Sequence, residues 1–300
     1  VPILFPLGGG ILTMLVLVGA AKSAESALPV AMGKAGRAKA PVEITYLSNC
    51  GLLVSRGQRK VLFDSEGLKE SVRLGFPEAS QREALGLIVD SKPPFDGANL
   101  VFLSHAHPDH VGYSELTERL GKNAKVRIVT TQTTKDEFRR LEASRFPSIE
   151  NRIEVIDPPF GGTVEQEIEG MKVQFLALYH AGAPAYIHKI LAIILDLDGV
   201  KVFFLGDMDL GSEANLAALR EWGKKREKID ILLACYDILR EPAGIRMIRE
   251  DIKPGGIIAM HIPANAIDST MAQCRVNFPQ ALAFRKCLEK KIFGSDAKHP

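Results

Sequence analysis

Short apolar runs separated by turn residues recur along the chain from residue 42 onward. Five of them predict two groups of antiparallel strands, a meander over 42–47, 51–55 and 60–63 and a hairpin over 190–195 and 201–205. The hairpin turns at Asp198-Gly199. Both groups end on an aspartate, Asp64 in the first and Asp207 in the second. We therefore expect two similar half-sheets that face each other.

Helical patterns fill the spaces between these strands. Helices are predicted over 115–120, 134–143, 213–222 and 243–252, and further strands over 126–130, 152–156 and 171–179. Ser114 and Ser212 are candidate N-caps, and a capping box that starts at Thr134 marks a third helix start. Strands and helices mixed with antiparallel hairpins are typical of an α+β fold. We predict a sandwich of sheets covered by helices, and not a doubly wound parallel sheet.

The start of the chain differs from the rest. Residues 1–21 include no charged residue, the stretch 11–18 is almost wholly apolar, and small residues follow it. This order predicts a signal peptide or membrane anchor over 1–27, followed by a linker over 28–41. We therefore expect a protein that is exported, periplasmic or secreted, or else membrane-anchored. Membrane contact is expected only through the N-terminal segment, if that segment is not cleaved.

The remaining chain, 42–300, is predicted to be one catalytic domain. Within it, the segment 65–99 contains Pro77 and Pro93-Pro94 and is predicted to be an insertion that could form a lid over the site. The chain has 38 lysines and arginines against 36 aspartates and glutamates, a formal net charge of +2. This near balance argues against nucleic acid as the main partner.

The four cysteines do not suggest a metal site of their own. They form no C-x-x-C pair, which argues against a zinc site built from cysteines. Cys235 ends an apolar run and is predicted to be a small buried core residue. If the protein is exported, one or two disulfides are allowed, and their pairing stays open.

Four of the apolar runs end on side chains that bind metal ions. The runs starting at residues 101, 173, 202 and 257 lead into His105, His180, Asp207 and His261. The first run continues as the cluster His105-Ala106-His107-Pro108-Asp109-His110. Five of the seven histidines belong to this set. Buried strands that all end on such residues indicate one polar site along the rim of a sheet.

The spacing within the cluster suits a pair of metal ions. His105, His107 and His180 would supply three neutral nitrogens and leave a fourth position open, as a catalytic zinc requires. Pro108 turns the chain, so that the next two residues leave in another direction. A second ion would take Asp109, His110 and His261, and the carboxylate of Asp207 would bridge two ions ~3.5–4 Å apart.

This pattern, HxHxDH followed by a strand-end His, a strand-end Asp and a strand-end His, resembles the metallo-β-lactamase superfamily. It is similar to the branch of broad metal-dependent hydrolases near the lactonase-like and phospholipase D-like members, over about 42–293. The resemblance implies a four-layer αβ/βα sandwich with the active site at one edge and the ligand assignment given above. It also implies that Asp64 supports the ligand loop by hydrogen bonding.

The resemblance implies two divalent ions, most often Zn²⁺, with Mn²⁺ or Fe as alternatives that the same donors allow. The implied reaction is attack of a metal-activated hydroxide on an ester, lactone or phosphodiester. Asp109 would orient the hydroxide or accept its proton as the catalytic residue. The substrate is expected to be a small or lipid-like molecule, and His188 and Tyr236 are candidates for contacting it.

Other functions on the same fold remain open at this point. An iron-dependent oxidoreductase or dioxygenase is the main alternative, and metal analysis of purified protein would separate it from a hydrolase. Hydrolysis of β-lactams is a second alternative that no sequence feature favours. RNA-processing relatives contain a large inserted domain or a basic arm, and the sequence shows neither. A non-catalytic binding protein is disfavoured by the complete ligand set.

Overall fold

The computed structural model describes residues 40–67, 72–182, 189–225 and 228–294. Within these ranges the strands form two seven-stranded sheets. The first sheet contains β1 (Val42–Ser48), β2 (Gly51–Arg56), β3 (Arg59–Phe63), β4 (Leu100–Phe102), β5 (Arg127–Thr130), β6 (Ile153–Val155) and β14 (Lys290–Phe293). Its strand order is β14-β1-β2-β3-β4-β5-β6.

The second sheet repeats this arrangement. It contains β7 (Thr163–Ile168), β8 (Met171–Tyr179), β9 (Lys189–Leu197), β10 (Val200–Phe204), β11 (Ile231–Cys235), β12 (Gly256–Met260) and β13 (Leu282–Ala283), in the order β13-β12-β11-β10-β9-β8-β7. In each sheet one half is antiparallel and the other half is parallel. The switch comes at β3 in the first sheet and at β10 in the second.

Helices form the connections that the parallel halves require. Adjacent parallel strands cannot be joined by a tight turn, so the chain crosses over the sheet between them. The α-helices described are α1 (Glu78–Val89), α2 (Tyr113–Lys122), α3 (Gln132–Leu141), α4 (Glu213–Gly223), α5 (Pro242–Met247) and α6 (Ile267–Asn277). The segment after α5, Ile248–Ile252, continues as a π-helical turn.

The first sheet is buried on both faces. Alternate strand residues point to opposite sides, so Phe63 and Phe102 join the core between the sheets while Leu62 and Val101 join the core under the helices. Phe63 stacks against Phe204 of the second sheet with ring centroids 5.2 Å apart. The arrangement confirms the predicted four-layer αβ/βα sandwich.

The predicted strands are confirmed, but two predicted helix starts are wrong. Helix α2 begins at Tyr113 with Gly112 as its N-cap, so Ser114 already lies inside the helix. Helix α3 begins at Gln132, because Thr131 is the N-cap and its hydroxyl accepts a hydrogen bond from the Thr134 amide, 3.2 Å away. The capping-box pattern therefore belongs to the first turn of the helix. Ser212 caps α4 as predicted.

The segment 65–99 is mostly a structural crossover. Because β3 and β4 are parallel neighbours, the chain between them must cross the sheet, and α1 does so. Ile88, Phe95 and Ala98 are fully buried in the core beneath the helices. The lid prediction therefore does not apply to the part of the segment that starts at α1.

The predictions for the start of the chain concern residues that the structure does not describe. The signal peptide or anchor over 1–27 and the linker over 28–41 lie outside the described residues, except for residues 40 and 41. Among the described residues, none of the helices has both the length and the apolar character needed to cross a membrane.

A buried ion pair connects the end of β3 to α2, the helix that follows the histidine cluster. An Nη1 proton of Arg119 is donated to Glu66 Oε1 over 2.8 Å, and both side chains are fully buried. Arg119 also donates to the carbonyl oxygen of Ala98. Glu66 in turn accepts from the hydroxyl of Ser65. This pair holds the residues after Asp64 against the loop that contains the histidines.

Removing one member of this pair should destabilise the fold strongly. Arg119→Met leaves Glu66 buried without its partner, and we expect a loss of about 3–5 kcal/mol in the free energy of unfolding. The double variant Glu66→Gln/Arg119→Met should lose much less. Urea denaturation of the three proteins measures these differences. Arg82→Met, which breaks an exposed ion pair with Glu78 on α1, is the matched control and should change little. An equal effect of Arg119→Met and Arg82→Met would contradict this account.

Candidate metal centre

The residues predicted as metal ligands lie together at one edge of the two sheets. His105 follows β4, His180 follows β8, and Asp207 and His261 follow β10 and β12. Two groups of three side chains bring their donor atoms within 4.8 Å of one another: His105, His107 and His180 in one, and Asp109, His110 and His261 in the other. The two groups are called here the first and the second triad.

Asp207 lies between the triads. Its Oδ2 atom is 3.1 Å from His110 Nε2 and 3.3 Å from His261 Nε2, both of the second triad. The same oxygen is 3.8 Å from His180 Nε2 of the first triad. One carboxylate oxygen therefore faces nitrogens of both groups.

Hydrogen bonds around the first triad determine which nitrogens bear a proton. The hydroxyl of Ser104 donates its single proton to Asp64 Oδ2 over 2.6 Å. Its oxygen lies 2.9 Å from His105 Nδ1, so that nitrogen must be the donor. His180 Nδ1 faces the carbonyl oxygen of Ala181, which can only accept, and is therefore protonated as well. The Nε2 atoms of His105 and His180 consequently both present lone pairs.

These lone pairs point at each other. His105 Nε2 is 3.1 Å from His180 Nε2 and 3.1 Å from His107 Nδ1. Two acceptors cannot hydrogen-bond to each other, so a positive centre between them is needed to make this contact favourable. Three imidazole nitrogens with an open fourth position are the donor set of a catalytic zinc site.

The second triad gathers carboxylates around its imidazoles. His110 Nδ1 lies 2.7 Å from Asp64 Oδ2, a carboxylate that can only accept, so Nδ1 bears a proton. The other nitrogen, Nε2, faces Asp207 Oδ2 and is the atom that could bind a cation in place of a proton. His261 Nε2 lies 3.4 Å from Asp109 Oδ2, at the same centre. The residues present therefore fit a cation in this triad too.

The pKa shifts of the histidines and aspartates indicate that the centre favours positive charge. Burial opposes charge on His110, but the carboxylates of Asp207 and Asp64 outweigh it and hold the pKa of that imidazole well above its ordinary value. Burial also opposes ionisation of Asp207, yet His110 and His261 hold its pKa well below the usual range. Burial, together with the neighbouring imidazole of His110, lowers the pKa of His105, which therefore stays a neutral ligand.

Asn49 is a functional residue that the sequence analysis missed. Its side-chain Nδ2 donates to Asp109 Oδ2 over 2.9 Å, and its backbone carbonyl oxygen accepts from the backbone amide of His261 over 3.3 Å. Asn49, Asp64 and His261 all have a positive φ, at 48°, 44° and 61°. Such backbone conformations are unfavourable for residues other than glycine and cluster at functional sites. A polar residue directly after the strand β1 was the available signal.

Gly67 and Gly112 allow the ligand loop to pack closely on the chain after Asp64. A side chain on Gly67 would meet the backbone of Asp109 at 2.3 Å, and one on Gly112 would meet the carbonyl oxygen of Glu66 at 2.1 Å. Only glycine permits these contacts, because any Cβ would overlap with backbone atoms that cannot move aside. The sequence analysis also missed this requirement.

Of the two predicted substrate contacts, the structure describes only one. His188 lies outside the described residues. Tyr236 follows β11, and its ring packs against the main core beneath the guanidinium of Arg240, 4.6 Å from the ring centre. Contact of Tyr236 with a substrate stays a prediction.

A cavity of about 410 Å³ opens beside the second triad and Asp207. Its wall contains apolar side chains, three further carboxylates and one thiol: Ala181, Met208, Leu210, Ile238, Asp209, Asp237, Glu241 and Cys235. His180, Asp207 and His261 form its inner end. A small molecule in this cavity would contact the candidate centre directly.

Comparisons with known proteins agree with this geometry. The family model described as beta-lactamase superfamily domain matches residues 80–268. No curated protein sequence matches the chain. Among solved structures, the chain is similar in fold to Igni18, a metallo hydrolase from the archaeon Ignicoccus hospitalis, with 16% identity and a TM-score of 0.52. The match covers 84% of this chain and 98% of Igni18.

Two other structures of similar fold contain metals according to their descriptions. Zn²⁺-bound PqqB from Methylobacterium extorquens is 13% identical, with a TM-score of 0.50, and the match covers 80% of this chain and 86% of PqqB. CmlA, a diiron β-hydroxylase from Streptomyces venezuelae, is 12% identical, with a TM-score of 0.51. That match covers 86% of this chain and 54% of CmlA. Metals bound on this fold therefore include both zinc and iron.

We expect Asp64→Asn to weaken metal binding without unfolding the protein. Oδ2 of Asp64 accepts from the Ser104 hydroxyl and from His110 Nδ1, and Oδ1 accepts from the Ser104 backbone amide. An amide side chain has one oxygen, so it cannot keep all three bonds, and its NH2 group would face a donor. Loss of this support should reduce the affinity for zinc by about 10- to 100-fold. Zinc retained in competition with a chelator of known affinity gives the measurement. Asp268→Asn, at an exposed position on α6, is the control. Equal zinc affinity in the two variants would refute the supporting role of Asp64.

Proposed function

The chain belongs to the β-lactamase superfamily, and we propose that it is a hydrolase that uses two divalent metal ions to cleave an ester or lactone bond in a small or lipid-like substrate. The observation that supports this most directly is the position of Asp207 Oδ2 between two imidazole-containing triads. Zinc is the ion that the donor set suits best, because neutral imidazoles predominate, and manganese or iron are alternatives.

The first triad would hold one ion and the second triad the other, with Asp207 as the shared ligand. Bound ions of this kind polarise the oxygen of a carbonyl or phosphoryl group and lower the pKa of water to ~7. The chain's own contribution is to orient these groups. Asn49 holds Asp109 by an amide hydrogen bond, so that the Asp109 carboxylate keeps one direction and can accept a hydrogen bond or a proton from the attacking water.

Charge in the cavity favours an uncharged or positively charged substrate. Asp209, Asp237 and Glu241 lie in its wall, and among the described residues that line it none is a lysine or arginine. Asp237 pairs with Arg240, whose guanidinium lies 2.5 Å from it, so Asp209 and Glu241 are the wall carboxylates outside that ion pair. A negatively charged group would be disfavoured beside them, whereas metal ions held by the triads would attract one at the centre itself. We therefore rank an ester or lactone whose outer part is uncharged or cationic above an anionic substrate.

An iron-dependent oxidoreductase or dioxygenase is the second candidate. The observation in its favour is the mixture of imidazole and carboxylate donors in the second triad, which suits iron as well as zinc. Metal analysis of the protein as purified separates the candidates. Stoichiometric iron with redox activity, in the absence of hydrolysis, would favour the oxidoreductase.

We expect hydrolysis to depend entirely on bound metal. Dialysis against a strong chelator should abolish activity on a panel of esters and lactones, and zinc or manganese should restore it. His107→Ala removes one donor of the first triad and should lower the bound metal from about two ions to one, together with kcat by at least about 100-fold. Metal content by elemental analysis and initial rates are measured on the same samples. Full hydrolysis by protein shown to be metal-free would refute the proposal.

The charge of the cavity wall gives a separate test of the substrate class. Glu241→Lys should raise KM for a cationic ester, such as a choline ester, and lower KM for an anionic ester of the same size, because the sign of the nearby charge is reversed. Activity on a neutral ester serves as the internal reference. Glu213→Lys, on the exposed start of α4 away from the cavity lining, is the control variant. Identical KM ratios in both variants would contradict the assignment.

A further inference from the structure

The two oxygens of Asp207 have different surroundings. Oδ2 faces imidazole nitrogens of both triads, as described above. Oδ1 points the other way, toward two thiols: Cys235 Sγ lies 3.0 Å from it and Cys50 Sγ lies 3.9 Å from it. In the part of the chain that the structure describes, no other donor contacts Oδ1. The carboxylate thus has one oxygen that faces the candidate metal ligands and one oxygen that faces the two thiols.

The thiols reach Asp207 from both sheets. Cys235 is the last residue of β11, which pairs in parallel with β10, and Asp207 follows β10. Cys50 lies in the turn between β1 and β2 of the opposite sheet. Cys50 is fully buried, and Cys235 is 8% exposed at the cavity wall. Both positions follow from strand register, so the thiols are held in place by the core.

A buried carboxylate oxygen that accepts no hydrogen bond destabilises the fold. If the Asp207 side chain could rotate freely, its two oxygens would also exchange places. The thiol proton of Cys235 is a weak but adequate donor at 3.0 Å. Cys235 Sγ also lies 3.4 Å from the carbonyl oxygen of Gly206, but its single proton can serve only one acceptor and goes to the nearer one, Asp207 Oδ1. This hydrogen bond fixes the orientation of the carboxylate.

We propose that Cys235, supported by Cys50, is a positioning residue that holds Asp207 Oδ1 so that Oδ2 alone faces the two triads that would hold the metal ions. This inference rests on the dinuclear centre proposed above. It differs from ligation by sulfur, a possibility raised because Cys50, Asp207 and Cys235 also lie within 4.8 Å of one another. Sulfur ligation is disfavoured because the triads that would hold the ions face Oδ2.

Cobalt(II) titration of the full-length protein tests this assignment. In the wild-type protein we expect two cobalt ions per chain, d–d absorption in the visible range, and no sulfur-to-cobalt charge-transfer absorption in the near ultraviolet. Cys235→Ala removes the donor and should lower cobalt affinity by about 10- to 100-fold, as loss of a supporting hydrogen bond does at metal sites. Cys235→Ser keeps a donor and should bind cobalt more tightly than Cys235→Ala.

A matched control distinguishes positioning from simple loss of packing. Cys274→Ala removes another buried thiol, on α6, whose sulfur faces the carbonyl oxygen of Tyr236 and not Asp207. It should leave cobalt affinity unchanged, whatever its effect on the free energy of unfolding. Cys50→Ala should have a smaller effect than Cys235→Ala, since its sulfur lies farther from Oδ1.

The outcomes separate this inference from the proposed function. A charge-transfer band in the wild-type protein that disappears in Cys235→Ala would show that sulfur is a ligand and overturn the positioning role. Equal cobalt affinity in the wild-type protein and Cys235→Ala would also overturn it, while leaving the hydrolase proposal intact. Failure of the wild-type protein to bind cobalt at all would overturn the proposed dinuclear centre itself, and this inference with it.

Discussion

The carboxylate of Asp64 can only accept hydrogen bonds, and the arrangement of the centre depends on this. It accepts one hydrogen bond from the Ser104 hydroxyl and another from His110 Nδ1. Because the Ser104 hydroxyl proton is used in the first bond, the Ser104 oxygen must accept a hydrogen bond from His105 Nδ1. One buried aspartate therefore orients an imidazole of each triad and directs its Nε2 atom toward the centre. In the first triad this places acceptors face to face, a contact that a bound cation would make favourable.

The mixed topology brings such residues to one edge. In each sheet the antiparallel half ends at an aspartate, Asp64 or Asp207, and the parallel half begins beside it. Parallel strands deliver their carboxyl ends to the same side, so His105 and His261 arrive beside these aspartates. The helices required by the crossovers cover the outer faces, which leaves the edge between the sheets as the open surface.

Much of this could be predicted from the sequence because strand period and strand-end chemistry are local properties. The order of strands and the convergence of His105, His180, Asp207 and His261 follow from apolar runs and what ends them. Cys235 and the Glu66–Arg119 pair could not be found in this way. Their roles depend on contacts with residues that are distant in the chain. The periodicity of a sequence does not show which buried polar residues contact each other. The predicted start of α3 was wrong for a related reason, because several residues with hydroxyl groups near Thr131 could each be the N-cap.

Strand register explains why Cys235, which was predicted to be a core residue, also has a second role. Cys235 is buried by strand β11 as its apolar run requires, yet the register of β11 with β10 sets its sulfur against Asp207. A core position next to a strand-end ligand thus contacts the far side of that ligand. In this fold the Asp207 carboxylate lies between the hydrophobic core and the candidate metal centre, with one oxygen facing each. Substitutions in the core beside Cys235 are therefore expected to affect metal binding as well as the stability of the sandwich.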